Sequence, residues 1–224
     1  MARRILVWDL PVRLFHWALV LLVAFSYATG KIGGGWMEWH LRSGYAILAL
    51  LAFRILWGLV GSDTARFSAF LRAPGAAVEY LRARMAGRHP HVLGHNPLGG
   101  WAVLAMLLVL LLQATTGLFA DDEISTQGPL AAKVGNALVS RMSWIHSWNE
   151  WAIVTLVVVH LVAIAVYRFA WNVRLVAPMI HGHMEVGDEV AAPRTRNPAV
   201  ALVLFALACA AVYYLVVIYP RTPA

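Results

Sequence analysis

Four histidines, His16, His40, His146 and His160, lie in or at the ends of stretches otherwise apolar enough for lipid. Ionisable side chains in a hydrocarbon layer are costly and collect where function requires them. The stretch WIHSWNEWAIVTLVVVHLVAI, residues 144–164, carries two of the four, fourteen positions apart. On a helix that spacing is four turns less about 40°, with an axial separation of about 21 Å. The two rings therefore project from one face at two depths. His40 opens the second apolar run and matches the level of His146; His16 opens the first and matches that of His160. Depth alone gives the pairs His40/His146 and His16/His160. Two axial imidazoles from facing helices are what a low-spin, electron-transferring haem b requires, so the pattern predicts two haems b, one near each membrane face.

Other chemistries compete for the same residues. A membrane histidine can simply hydrogen-bond to a neighbouring helix or face a water-filled cavity. Zinc favours more tightly clustered ligands, often with thiolate or carboxylate. A histidine-based ion, metal or proton transporter is the rival from another functional class. Four histidines at two matched depths, two of them in helical phase, favour haem over each of these.

The elements that must hold these rings are transmembrane helices. Of 224 residues 61% are hydrophobic and only 13% charged, well below the charged share of a soluble domain. Five apolar runs, 14–30, 41–60, 98–120, 146–170 and 199–219, each approach the roughly twenty residues that cross a bilayer. A β-barrel would instead show short alternating segments. The first run opens with Phe15, His16 and Trp17 and is not followed by a small-x-small cleavage site, so it reads as a mature helix and not as a signal peptide.

Twelve arginines fall in the N-terminal segment, between runs two and three, and after run four; the other side holds Lys31, Lys133, Arg141 and Arg221, beside the acidic Asp121, Asp122 and Glu123. The positive-inside rule puts the N-terminus in the cytoplasm and the C-terminus outside. The net charge of +7 is then an orientation signal, with no nucleic-acid partner implied. The single cysteine, Cys209, excludes an intrachain disulfide and a covalent CxxCH haem. The cytoplasmic connection 61–97 interleaves apolar residues with arginines and predicts an interfacial helix near 74–86; 171–198 reads as an exposed linker, and 121–145 as an acidic outer loop.

Haem propionates call for cations or donors. Arg54, fourteen residues beyond His40 on run two, suits the inner haem. Arg42 suits the outer haem or the lipid interface, where long arginines snorkel. Gly44, one turn after His40, and Gly117 would let a flat macrocycle approach, or serve as ordinary small-residue packing. Asn96 and Pro97 read as the start of the third helix, with His95 and Asn96 also placed to hydrogen-bond a propionate or a quinone. His89, His91, His181 and His183 read as loop histidines, and the tryptophans near run ends as an aromatic belt.

The chain resembles the bacterial cytochrome b561 family, which includes the b-type cytochrome subunits of nickel–iron hydrogenases. The likeness rests on VWDLPVRLFHW (7–17), HLRSGYAILALLAFRILWGLVGSDTARFSAF (40–70), GHNPLGGW (94–101), TTGLFADD (115–122), the His146/His160 spacing and RLVAPMIHG (174–182). It implies an all-α, four-helix membrane bundle over residues 1–182 that holds two b haems on the same four histidines. Residues 183–224 add a linker and a fifth transmembrane helix. The implied activity is electron transfer between the quinone pool and a periplasmic partner: a hydrogenase subunit, a c-type cytochrome or a small oxidant. In that role the chain is a conduit in which iron cycles and no catalytic residue is needed. Homo-oligomerisation is left open.

Overall fold

A computed structural model describes residues 2–88, 92–187 and 189–222. In chain order the elements are strand β1 (Ala2–Leu6), helix α1 (Leu10–Ile32), α2 (Met37–Val60), the short α3 (Phe67–Phe70), α4 (Pro74–Met85), α5 (Pro97–Gly117), α6 (Asn136–Phe169), α7 (Val176–His181), β2 (His183–Gly187) and α8 (Pro198–Tyr213). Five of the helices, α1, α2, α5, α6 and α8, are long and apolar enough to cross a membrane. The all-α class therefore holds.

Local chemistry sets the helix boundaries. Asp9 caps α1, its Oδ1 accepting from the Val12 amide at 2.9 Å, and Asn96 caps α5 by accepting from Gly99 N at 2.8 Å, with Pro97 at the first helical position, where no amide is needed. Gly33, at φ 69°, ends α1 in the left-handed conformation, and its amide bonds back to Thr29 O at 3.0 Å.

Helix α6 is longer than its apolar run. Its 34 residues extend about 51 Å, against a hydrocarbon core of about 30 Å. The segment 121–145, expected to be loop, thus becomes helix from Asn136. Residues 136–145, NALVSRMSWI, are mostly good helix formers whose Ser140, Arg141 and Ser143 break the hydropathy pattern but not the backbone. The connection 171–198 is likewise more structured than a linker, since it contains α7 and β2. The helix expected near 74–86 is α4, which buries Ala77, Tyr80 and Arg84 and exposes its other face.

The chain divides into two compact units. One comprises the stretches up to Leu14, Arg54–Met106 and Val157–Ala201; the other comprises Phe15–Phe53, Leu107–Leu156 and the stretch from Leu202. In the first unit β1 and β2 pair antiparallel, Arg4 opposite Glu185 and Ile5 opposite Met184. Gly182, at φ 87°, closes α7, and its carbonyl accepts from Val7 N and Trp8 N at 2.8 and 3.0 Å. A side chain there would collide with Leu6 and with Trp8 O. Asp63 accepts from the Arg194 amide at 2.9 Å, and that bond, with Arg66 beside it, holds its carboxyl below the usual range.

In the second unit Leu48, Ala49, Leu118, Leu130 and Val212 form the core, with Tyr45, Phe119 and Cys209 packed against it. The fifth helix is therefore anchored on α2, and Phe53 meets Phe205 edge-on at 5.8 Å. The segment after α5 folds back on itself: Gly128 N donates to Ala120 O at 2.7 Å and Leu130 N to Leu118 O at 2.8 Å. Within it Asp122 accepts from the amides of Ile124, Ser125 and Thr126, each at 2.8–2.9 Å. Those three donors pull its carboxyl down to about 2. A depressed folded value gives support that is complete above the ordinary carboxylate pKa and is lost as pH falls through the folded one. Loop 121–127 is expected to keep its protection in amide exchange at pH 5 and to lose it progressively from pH 4 towards 2. Asp122→Asn, whose amide oxygen still accepts, should keep the protection without its pH dependence, whereas Asp122→Ala should lack it even at pH 7; an unchanged profile in Asp122→Ala would refute the assignment.

Candidate functional site

Within the second unit α2 and α6 bring His40 and His146 together, with ring centres 6.0 Å apart and planes at 90°. Each ring is held the same way. His40 Nδ1 lies 2.8 Å from the backbone carbonyl of Ser26 on α1, and His146 Nδ1 lies 3.0 Å from that of Gln113 on α5. A carbonyl can only accept, so in both rings Nδ1 carries the proton and Nε2 keeps its lone pair. The Gln113 amide nitrogen, 3.3 Å from His146 Nε2, fits the same tautomer, because it can donate to that lone pair. Asn149 in turn fixes Gln113, donating to Oε1 at 2.8 Å, and also donates to Val109 O at 3.0 Å.

A ring that donates through Nδ1 to a carbonyl and keeps the Nε2 lone pair is the usual state of a metal-bound histidine; at His146 a metal would take the place of the Gln113 amide on that lone pair. Metal–imidazole bonds of about 2 Å plus a ring radius of roughly 1.1 Å on each side would set two axial rings about 6 Å apart. The two ring centres, 6.0 Å apart, are close enough for one iron to lie between them. The donor set, two neutral imidazoles without thiolate or carboxylate, fits a haem iron, and among the described residues no cluster of three or more His, Cys, Asp or Glu forms another metal site.

Glycines make room for both rings. A Cβ on Gly30 would stand 2.8 Å from His40 Nδ1, and one on Gly117 would stand 2.9 Å from His146 Cε1. Gly117 thus lies against a histidine ring. A Cβ on Gly44, one turn beyond His40, would meet no atom within 4 Å, which leaves the helix surface beside His40 open to a flat ligand.

His16 falls in the second unit and His160 in the first. His16 is half-buried, with its ring edge-on to Trp17 at 4.9 Å. His160 is half-buried on α6 between exposed Val159 and Leu161.

In the first unit Arg54 is 3% exposed. Its guanidinium lies 5.1 Å from the centre of the Phe67 ring, and its buried Nη1 has no hydrogen-bond acceptor among the described residues. Such a cation fits an anionic group such as a propionate. Asp9, also buried, accepts from Trp57 Nε1 at 3.0 Å. Arg42 instead is exposed, pairs with Glu38 and covers the Trp39 ring at 5.2 Å, which is interface behaviour. Asn96 spends its carbonyl on the α5 cap and its amide on Tyr167 Oη at 2.8 Å. His95 packs between Trp8 and Phe70, at 4.6 and 4.7 Å. His181 and His183 are exposed neighbours at the start of β2; His89 and His91 lie outside the described residues.

Sequence reasoning missed Ser26, Thr29, Gly30, Gln113, Thr116 and Asn149. The available signal was the recurrence of Thr-Gly at the ends of two apolar runs, SYATG at 26–30 and QATTG at 113–117.

A family model described as prokaryotic cytochrome b561 matches residues 7–182. The chain is also similar to the probable Ni/Fe-hydrogenase B-type cytochrome subunit of Cupriavidus necator, 25% identical over 213 residues that cover 81% of this chain and 87% of that protein. No solved structure matches the chain.

Proposed function

Since the chain belongs to the prokaryotic cytochrome b561 family, we propose that it carries two haems b and passes electrons between membrane quinone and a periplasmic redox protein. The family and the five apolar helices make it a multi-pass membrane b-type cytochrome of electron transfer. The number of haems, the quinone, the partner and the inner-membrane orientation with a cytoplasmic N-terminus are the proposed refinements. The observation that carries the reading is the facing pair His40/His146, each ring with Nδ1 committed to a backbone carbonyl.

His40 and His146 would hold the outer haem, and His16 and His160 the inner one. A bound haem supplies one-electron cycling at iron. The protein's part is to fix ring orientation through Ser26 O and Gln113 O, to seclude the centre from water, and to balance charge. Arg54 would answer an inner propionate and Gly44 would admit the outer macrocycle. Arg42, paired with Glu38, is assigned to the interface. Asn96 and His95 support the start of α5, and Gly117 clears space for His146. Because the Cupriavidus necator relative is named as a hydrogenase subunit, a hydrogenase-type partner is the first to test, with a soluble c-type cytochrome next.

Purified protein should show a Soret band, two haems per chain and two low-spin ferric EPR signals, and in proteoliposomes quinol should reduce it or quinone oxidise it. Absence of a Soret band would remove the haem reading and favour the transporter alternative. A high-spin signal alone would mean that the irons lack a second imidazole.

A further inference from the structure

Resting on the haem reading above, we propose that SYATG (26–30) and QATTG (113–117) are two copies of one ligand-positioning device, which set the ring planes, and through them the redox properties, of the outer haem.

The device follows from helix geometry. In a helix each Cβ leans towards the N-terminus, so the side chain at i+4 lies over the carbonyl at i. Glycine at i+4 uncovers that oxygen and lets it accept a second hydrogen bond from outside the helix. Gly30 stands four residues after Ser26 and Gly117 four after Gln113, and these are the two carbonyls that take the Nδ1 protons of His40 and His146. At i+3 both copies carry threonine. Thr29 Oγ1 lies 2.8 Å from Phe25 O and 3.0 Å from Ser26 O, and Thr116 Oγ1 lies 2.7 Å from Leu112 O and 3.1 Å from Gln113 O, so each hydroxyl proton is shared between the carbonyls four and three residues back. The two threonines are 1% and 2% exposed, and through its share of that proton each competes for the oxygen the histidine uses.

The copies differ in how the first side chain helps and in the threonine, since Thr116 Oγ1 also lies 3.3 Å from His146 Nδ1. Ser26 Oγ lies 3.3 Å from His40 Nδ1, whereas the Gln113 amide reaches the other side of His146. Two helices thus present the same carbonyl, hydroxyl and gap to histidines on two other helices. With each ring tied to a fixed carbonyl, rotation about its Cβ–Cγ bond is blocked, and the planes stand at 90°. If both rings held one iron, crossed imidazoles would leave its d-orbitals nearly degenerate and give a strongly anisotropic low-spin signal. Donation from Nδ1 also makes Nε2 a stronger base, which favours the ferric state and lowers the potential.

Gly30→Ala and Gly117→Ala push the ring off its carbonyl. Each should raise the midpoint potential of one haem and reduce the anisotropy of one EPR signal, with the other haem unmoved; ejection of that haem alone supports the same conclusion. Thr29→Val and Thr116→Val keep the gap and free the oxygen for the histidine. They should move the same potential in the opposite direction, which a merely structural role does not produce. Gly35→Ala, whose Cβ meets nothing within 4 Å, is the control. A two-haem wild type whose potentials and signals survive both glycine substitutions would overturn the device and leave the haem reading standing, as would an equal response in Gly35→Ala. A wild type without haem would overturn the reading on which the device rests.

Discussion

Replacing His146 and His160 together with alanine should strip the protein of both low-spin haems, because each proposed pair then keeps a single imidazole. The four single variants are the sharper experiment. His40→Ala and His146→Ala should affect one and the same centre, and His16→Ala and His160→Ala the other. Each single variant is expected to halve the low-spin haem-to-protein ratio, either by loss of that haem or by conversion to a high-spin state. The four spectra should therefore sort into two classes. The physical basis differs between pairs: His40 and His146 face each other at 6.0 Å with matched tautomers, whereas His16 and His160 are paired by depth along their helices alone. If His16→Ala fell into the class of His40→Ala, the pairing would be wrong even with two haems present. Haem extraction and low-temperature EPR on the four variants measure it.

Sequence reading reached different depths for different parts of this molecule, and the reason in each case is the range of the interaction. The apolar runs were legible because hydropathy is a property of a continuous window; α1 and α2 each lie within a few residues of the expected span. Helix α6 was read short at its N-terminal end, since hydropathy stops at the membrane edge whereas helix propensity continues through Ser140, Arg141 and Ser143. The pairing of β1 with β2 was not legible at all. Arg3 and Val186 are opposite one another, but five-residue strands that meet across nearly the whole chain carry too little alternation to be read from either one.

The candidate site divides along the same line. Residue type and helical phase pointed to His40 and His146. The carbonyls of Ser26 and Gln113 left no trace in residue type, because a backbone oxygen belongs to every residue; only the glycine that uncovers it differs. Gly117 was noticed as room for a macrocycle, whereas the structure sets it against the His146 ring. Asn96 was read correctly as a cap, since capping depends on neighbours in sequence. The acceptance of its amide proton by Tyr167, seventy-one residues away, was beyond such reading.

Arg54→Met is the substitution expected to cost most stability outside the histidines. Arg54 is buried in the same unit as the buried carboxylate of Asp9, which also accepts from Val12 N and Trp57 Nε1. Those two donors orient the carboxylate but bring no full positive charge; Arg54 does. Asp9 acts on Arg54 through its charge and not through a direct ion pair, so the substitution weakens that interaction and loses the contact with Phe67, together about 1–2 kcal/mol. The apparent melting temperature of the detergent-solubilised protein should fall accordingly. Asp9→Asn combined with Arg54→Met should recover part of the loss, because the asparagine leaves no stranded charge, and the shortfall from additivity measures the coupling. A second role separates cleanly from this one. If Arg54 Nη1 answers an inner propionate, removing its positive charge favours the ferric state, and the inner haem's midpoint potential falls in Arg54→Met and stays low in the double variant. If the double variant restores both stability and potential, Arg54 serves Asp9 alone and the propionate role is excluded.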